Sequence, residues 1–315
     1  MSFLGIDLGG TKLATGVFSP DGELLRRNEI AINNASGAAV GKLITDEIDS
    51  ILHSSFSPVQ AIGISVPGIS NIKSGTVWAP NIPGWEDYHL LDEVKSVAPG
   101  IDVSIESDRS CYILGEMWKG NAKGCSNAIF IAVGTGIGAG IIADGHIIHG
   151  ANDIAGSIGW MALQHPYREE FRECGCFETY ASGTGIGQLA RKMIYEDDLY
   201  NGLLNKVPVE RITSQHVFEV YDDGDPVAHK VIGNAIQFWG MAIANLVSIF
   251  NPEKIIMGGG VFGPAVRFIP DIYNEAKKWA QPISMTKVSI EPSAIGGDAG
   301  IFGAGYLALR LHQMK

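Results

Sequence analysis

Residues 3–18 read FLGIDLGGTKLATGVF: two short apolar runs, 3–8 and 12–18, flank Gly9-Gly10-Thr11. This pattern predicts a β-hairpin whose turn is opened by glycine. Ser19-Pro20-Asp21-Gly22 predicts a second turn, and Glu23 to Ile32 a third strand. Half a chain later the order returns. AIFIAV (128–133), the turn Gly134-Thr135-Gly136, residues 137–143, the turn Asp144-Gly145 and residues 146–149 repeat the same module. Such a duplication predicts two α/β domains with a cleft between them.

The intervening sequence fits that frame. Val40, Leu43, Ile44, Ile48, Ile51 and Leu52 recur at helical spacing. AIGISV (61–66) predicts a buried strand ending in Pro67-Gly68. Val103 to Ile105 predicts another, ending in Glu106-Ser107-Asp108 before a helix through Tyr112, Leu114 and Trp118. A long apolar helix (Val231 to Phe250) leads to Asn251-Pro252, a strand (Lys254 to Met257) and Gly258-Gly259-Gly260. The tail holds Gly296-Gly297-Asp298-Ala299-Gly300 and a last helix to Leu311. Strands that end in glycine or acid place the chemistry at the carboxyl edges of sheets.

Composition narrows the classes. A chain of 315 residues exceeds one ordinary core. Net charge −11 argues against nucleic acid and anionic membranes as partners. Hydrophobic residues at 46% and charged residues at 18% exclude disorder. Glycine is in excess, 40 residues against an average of about 7%. With no Gly-X-Y period and 14 prolines the chain is not collagenous, and the excess reads as backbone clearance for a nucleotide. Four cysteines (Cys111, Cys125, Cys174, Cys176) form no disulfide framework. Residues 124–143 carry no charge and contain GxxxG spacings, yet their glycines and polar residues fit strand–turn–strand better than a membrane helix. The opening residues lack a signal-peptide pattern, and a cytoplasmic protein is expected.

Asp7-Leu8-Gly9-Gly10-Thr11-Lys12 combines a carboxylate at a strand end with bare amides, a hydroxyl and a cation. Amide dipoles cradle phosphate oxygens, and Asp7 can hold Mg²⁺ through water. The alternative is a tight turn that merely needs positive φ. Residues 134–139 also match the GxGxxA dinucleotide fingerprint, but that fingerprint needs a helix next, and GIIADGHIIHG (140–150) is strand-like. Gly183-Thr184-Gly185-Ile186-Gly187 opens a helix without a strand leading into it. No P-loop or protein-kinase signature is present.

Together these residues resemble the ROK family of sugar kinases and sugar-sensing repressors, which has a duplicated actin/hexokinase-like (ribonuclease H-like) fold. The resemblance runs through DLGGTK (7–12), Pro67-Gly68, APNIPGW (79–85), Glu106-Ser107-Asp108, GTGIGAG (134–140), Gly175-Cys176-Phe177-Glu178, Asn251-Pro252-Glu253 and GGGV (258–261). It implies ATP-dependent phosphorylation of a sugar hydroxyl, usually the 6-OH, with Mg²⁺ and a homodimer or higher oligomer. It implies a small domain of residues 1–120 plus 300–315 and a larger one of 121–299. Asp108 stands in the place of the general base; its alternative role is a helix N-cap. Asn81, Ser107, Asp108, Ser157, Trp160 and Glu178 correspond to the sugar pocket. Gly9, Gly10, Thr11, Lys12, Thr135 and Gly136 correspond to the phosphates, and Gly259-Gly260 to the adenosine.

Three places depart from the pattern. Ser107 replaces the usual Asn before the base. Gly156-Ser157-Ile158-Gly159-Trp160 replaces Gly-Glu-x-Gly-His, losing a carboxylate and a zinc-ligating histidine. The cysteine run shrinks to Cys174-Gly175-Cys176. No zinc site is expected. Trp160 can stack on an apolar sugar face or pack in the core, and core packing is the expectation. The losses fall where the family holds the anomeric end of the sugar. They predict a preference other than free glucose: a glycoside, an amino or N-acyl sugar, or another hexose. Two rivals stand against a kinase. One is a repressor, for which the start of the chain leaves no helix-turn-helix; the other is a non-catalytic sugar-binding relic, against which the retained Asp7, Thr11, Asp108 and Thr135 argue.

Overall fold

The computed structural model describes residues 1–54 and 58–314. In chain order its elements are β1 (Ser2–Leu8), β2 (Lys12–Phe18), β3 (Leu24–Ala31), α1 (Ala38–Leu52), β4 (Val59–Val66), β5 (Ile69–Asn71), β6 (Thr76–Trp78), α2 (Leu90–Val97), β7 (Asp102–Ser107) and α3 (Asp108–Lys119). Then follow β8 (Ala128–Val133), β9 (Ile137–Ala143), β10 (His146–Ile147), α4 (Cys176–Ala181), α5 (Gly183–Tyr195), α6 (Ser214–Glu219) and α7 (Pro226–Phe250). The last are β11 (Lys254–Gly258), α8 (Ile269–Ala276), α9 (Pro282–Met285), β12 (Ser289–Pro292) and α10 (Ala299–Gln313).

The chain divides into two compact units. The first comprises Met1–Gly124, Ile147–Ala155 and Ala294–Lys315; the second comprises Cys125–His146 and Gly156–Ser293. Among the described residues each unit carries a five-stranded sheet, ordered β3-β2-β1-β4-β7 in the first and β10-β9-β8-β11-β12 in the second. In both, a hairpin precedes strands added parallel to its first strand: β1 pairs antiparallel with β2 and parallel with β4, and β8 pairs likewise with β9 and β11. The duplication read from the turns is therefore present in the topology. The uncharged stretch at 124–143 is the β8–β9 hairpin, not a helix.

Strand alternation builds the first unit. Leu4, Ile6 and Leu8 point into a core with Val40, Ile44 and Ile48 of α1 and Trp85. The opposite face of β1 presents Phe3, Gly5 and Asp7 to α10. There the glycines have a structural reason. A Cβ at Gly5 would lie 2.6 Å from the Gly305 nitrogen, and one at Gly115 would lie 2.5 Å from the Ala299 oxygen. One at Gly63 or Gly303 would overlap the Ala304 or Cys111 carbonyl. These four glycines thus seat α10 against the sheet and α3, so the reading of the whole excess as nucleotide clearance is corrected for them. Close-packed backbones leave no volume for a methyl.

In the second unit α7 is long and apolar enough to cross a membrane. Its apolar stripe, including Val231, Ile232, Ala235 and Trp239, is buried in the core of the unit, and the Trp239 indole donates to the Ala181 carbonyl at 3.0 Å. Asp225 caps its start, accepting from the Val227 and Ala228 amides at 2.9 and 3.0 Å. Asn251, in the left-handed region at φ 45°, ends it.

Candidate active site

In the first unit, three neighbouring parallel strands end in polar residues. Register places Asp7 beside Ser65 and Ser65 beside Glu106. The Ser65 hydroxyl donates to Asp7 Oδ1 at 2.6 Å. A Cβ at Gly300 would overlap the Asp7 carboxylate, so glycine lets the first turn of α10 come down on it. That turn directs amide dipoles toward negative charge. Burial still raises the Asp7 pKa, with Ser65 and Lys12 opposing and Asp298 adding to the rise.

Ser107 ends β7 and caps α3, its Oγ accepting from the Ser110 amide at 3.4 Å and lying 3.2 Å from the Ser110 hydroxyl. The cap of α3 is therefore Ser107, not Asp108, and Ser107 spends its hydroxyl there. Asp108 is the first helical residue. Its Oδ1 accepts from the Arg109 amide at 2.7 Å, and Tyr112 donates to Oδ2 at 3.4 Å. Burial pushes its pKa up to about 6; the Arg109 charge and amide oppose this, and Asp7 adds to it. A carboxyl so poised can take a proton near neutral pH. Asn81 lies exposed on the turn after β6, whose shape is set by Trp85: its indole donates to the Gly37 carbonyl at 3.0 Å and its ring stacks on Tyr88 at 4.4 Å.

The Gly9–Lys12 turn closes through the Gly9 amide and Lys12 carbonyl at 2.9 Å, and Gly10 and Thr11 are exposed. Lys12 pairs with Glu29 at 2.9 Å, an exposed contact of small worth. In the second unit the Gly134 amide meets the Gly136 carbonyl at 2.9 Å, and Thr135 is exposed. Neither turn contains a glycine of positive φ, which overturns the alternative of turns that merely need it. A Cβ at Gly10, Gly134, Gly260 or Gly297 would meet nothing within 4 Å. Protein packing does not demand glycine at these places. Gly259 is different: its φ is 88°, and a side chain would strike the Val133 carbonyl.

Beside the second turn lies a pocket of about 980 Å³. Gly134 and Thr135 form one wall, the start of α5 (Gly183, Thr184) and Arg191 another, with Gln215, Phe218, Gly260 and Arg267 around the rest. The Gly183 amide donates to the Gly134 carbonyl at 2.8 Å, fastening α5 to the turn, and Ser182 caps α5 through the Gly185 amide at 3.0 Å. Arg267 pairs with Asp222 and lies over the Tyr221 ring at 5.2 Å.

A profile of the ROK family matches residues 3–311. The chain belongs to the ROK family. It is 34% identical to the glucokinase of Halalkalibacterium halodurans over 97% of this chain and 94% of that protein. It is 29% identical to the β-glucoside kinase of Klebsiella pneumoniae over 83% and 82% of the two chains. The ROK glucokinase of Streptomyces griseus, solved with glucose and AMPPNP, superposes with TM-score 0.75 at 29% identity, over 98% of this chain and 100% of that one.

Against the ROK pattern, the remaining residues fall as follows. The Glu178 carboxylate accepts from the Ile137 amide at 2.6 Å, and burial raises its pKa against that bond. Ser157 is partly buried before the short turn Ile158–Trp160, and Trp160 is 57% exposed. The expectation that Trp160 packs in the core is thus wrong. Gly175, at φ 87°, lets the backbones of Gly159 and Trp160 press directly on it, leaving the indole outside. The zinc ligands of the ROK run do not assemble: Cys174 Sγ lies 3.4 Å from the Thr179 hydroxyl, and Cys176 is buried in the first turn of α4. Among the described residues no three His, Cys, Asp or Glu side chains converge for a metal, so this place does not fit tetrahedral zinc. Asp7, an oxygen donor beside open amides, does fit a hydrated magnesium ion.

Arg191, Gln215, Phe218 and Arg267 went unrecognised in the sequence. They sit on helices and turns far apart in the chain, with no spacing to link them. The one available signal was GTGIG at 183–187, which reads as unrelated because no strand precedes it.

Proposed function

We propose that the chain is an ATP-dependent sugar kinase. The carrying observation is that Gly10, Gly134, Gly260 and Gly297 are open glycines, whose missing side chains the fold itself does not require. Three of the four stand at turns that match the family's phosphate and nucleotide motifs, and two line the 980 Å³ pocket. Backbone without side chains is what lets phosphate oxygens reach amides.

The roles divide by unit. The second unit takes the nucleotide, with adenosine in the pocket beside Gly259-Gly260 and phosphates along Thr135 and Gly136. By the family pattern Gly9, Gly10, Thr11 and Lys12 correspond to the phosphates, and Asp108 is the base. Asp108 accepts the acceptor hydroxyl's proton as that oxygen attacks the γ-phosphorus; the bond to the β–γ bridging oxygen breaks and ADP leaves. Magnesium, held through water by Asp7, would neutralise charge on the phosphates. Ser107 acts by capping α3 and so aiming Asp108. Asn81, Glu178 and Ser157 hydrogen-bond sugar hydroxyls, the 6-OH of a hexose being the one phosphorylated.

Specificity departs from free glucose. Ser157 and Trp160 stand where the family has a carboxylate and a histidine, and an exposed indole offers an apolar face to a glycoside. Relatives named glucokinase and β-glucoside kinase bracket this reading. ADP release over a panel of hexoses, amino sugars and β-glucosides tests it. Turnover with a β-glucoside or amino sugar exceeding that with glucose is expected. Sugar binding without ADP release from any member would instead identify a relic.

A further inference from the structure

Glu178 touches more than a sugar ligand needs to. Its Oε2 accepts from the amide of Ile137, the residue that follows the Gly134-Thr135-Gly136 turn and opens β9. A Cβ at Gly136 would lie 2.8 Å from that oxygen and one at Gly159 2.9 Å from it. The carboxylate is therefore wedged between the nucleotide-side turn and the segment that carries Ser157 and Trp160. Among the described residues Ile137 is its hydrogen-bond partner, and Oε1 has none. The turn it holds is itself a wall of the pocket and is fastened to α5 through the Gly134 carbonyl.

We propose that Glu178 is a positioning residue that couples acceptor binding to nucleotide binding through the 134–137 turn. The inference rests on the sugar-kinase reading. One oxygen orders the turn; the other is left for an acceptor hydroxyl. A hydroxyl on Oε1 removes the carboxylate's remaining rotation and stiffens its grip on Ile137. The nucleotide then meets a turn whose ordering cost has already been met, and the effect is reciprocal. Burial raises the Glu178 pKa, consistent with a carboxylate that gains from a second donor.

Calorimetric titration of AMPPNP, with and without saturating methyl β-D-glucoside or glucose, measures the coupling. In the wild-type protein sugar should tighten AMPPNP at least about 5-fold. In Glu178→Gln that ratio should collapse toward one, because the amide offers the Ile137 N–H one acceptor and cannot serve both partners as the carboxylate does. A merely structural role would weaken AMPPNP equally with and without sugar, and an unchanged ratio overturns the proposal. Hydrogen exchange on the wild-type protein needs no variant: sugar alone should slow the amides of residues 134–138, and unaltered exchange with sugar bound overturns it as well. Wild-type turnover without any coupling refutes this inference alone. Absence of both sugar binding and turnover refutes the kinase reading with it.

Discussion

Replacing Asp108 by Asn separates catalysis from stability and gives each its own sign. As the base, Asp108 must be ionised, so Asp108→Asn should lower kcat about 10²- to 10⁴-fold. Burial lifts the Asp108 pKa from the ordinary 3.8 to about 6 in the folded chain. At 1.36 kcal/mol per pKa unit, holding that charge at neutral pH costs the fold about 3 kcal/mol at most. Asn carries no charge to bury, so the variant should melt several degrees higher at pH 7.5. The sign follows from linkage. The folded state binds this proton more tightly than the unfolded one, so wild-type gains stability as pH falls from about 6.5 to 4, while the variant lacks this contribution. The variant's advantage in Tm should therefore be largest above pH 7 and fade toward pH 4. Wild-type kcat/KM should meanwhile fall about tenfold between pH 7 and pH 5 as the base is protonated. Differential scanning calorimetry across pH, with ADP release on the same samples, reads both. A Tm difference independent of pH, or turnover within tenfold of wild-type, would overturn Asp108 as a buried, ionised base.

Trp160→Ala should change unfolding free energy by no more than about 0.5 kcal/mol, since the indole is largely exposed, while raising KM for a β-glucoside more than for glucose. Gly303→Val should lose more than about 1–3 kcal/mol and lower kcat, because α10 cannot lift off the Cys111 carbonyl without leaving Asp7; denaturant melts and ADP release read the two effects. Arg267→Ala should raise the KM for ATP with kcat little changed, the signature of binding common to ground and transition states. His149 lies 2.7 Å from Glu106, which raises its pKa, with Asp153 also adding to the rise. This contact should add about 1 kcal/mol below pH 6.5 that disappears as pH climbs through the folded value, and His149→Gln should abolish that slope in Tm against pH.

Which parts were legible follows from physical range. The Gly9-Gly10-Thr11 hairpin, its echo at Gly134-Thr135-Gly136 and the Asp108 strand end are local: turn chemistry and period-two alternation act over a few residues. The short pieces β5, β6, β12, α2, α4, α6, α8 and α9 passed unrecognised because runs of three to eight residues carry too little periodicity to separate strand from helix. Ser107 and Asp108 show the limit at one residue's precision. Both can cap a helix, and only the backbone path of β7 into α3 assigns the cap to Ser107.

The duplication, the strand ends that carry the acids and the family to which they belong are each written in contiguous residues, and so are legible in the chain alone. Folding sets what distant residues do to one another. It assigned Gly5, Gly63, Gly115 and Gly303 to the seat of α10 and left Gly10, Gly134 and Gly260 open. It turned Trp160 outward, gathered Arg191 and Arg267 into one pocket, and tied Glu178 to the turn at Ile137. Glycine looks the same in the chain whether a helix or a phosphate must approach it; only the neighbours brought by folding distinguish the two.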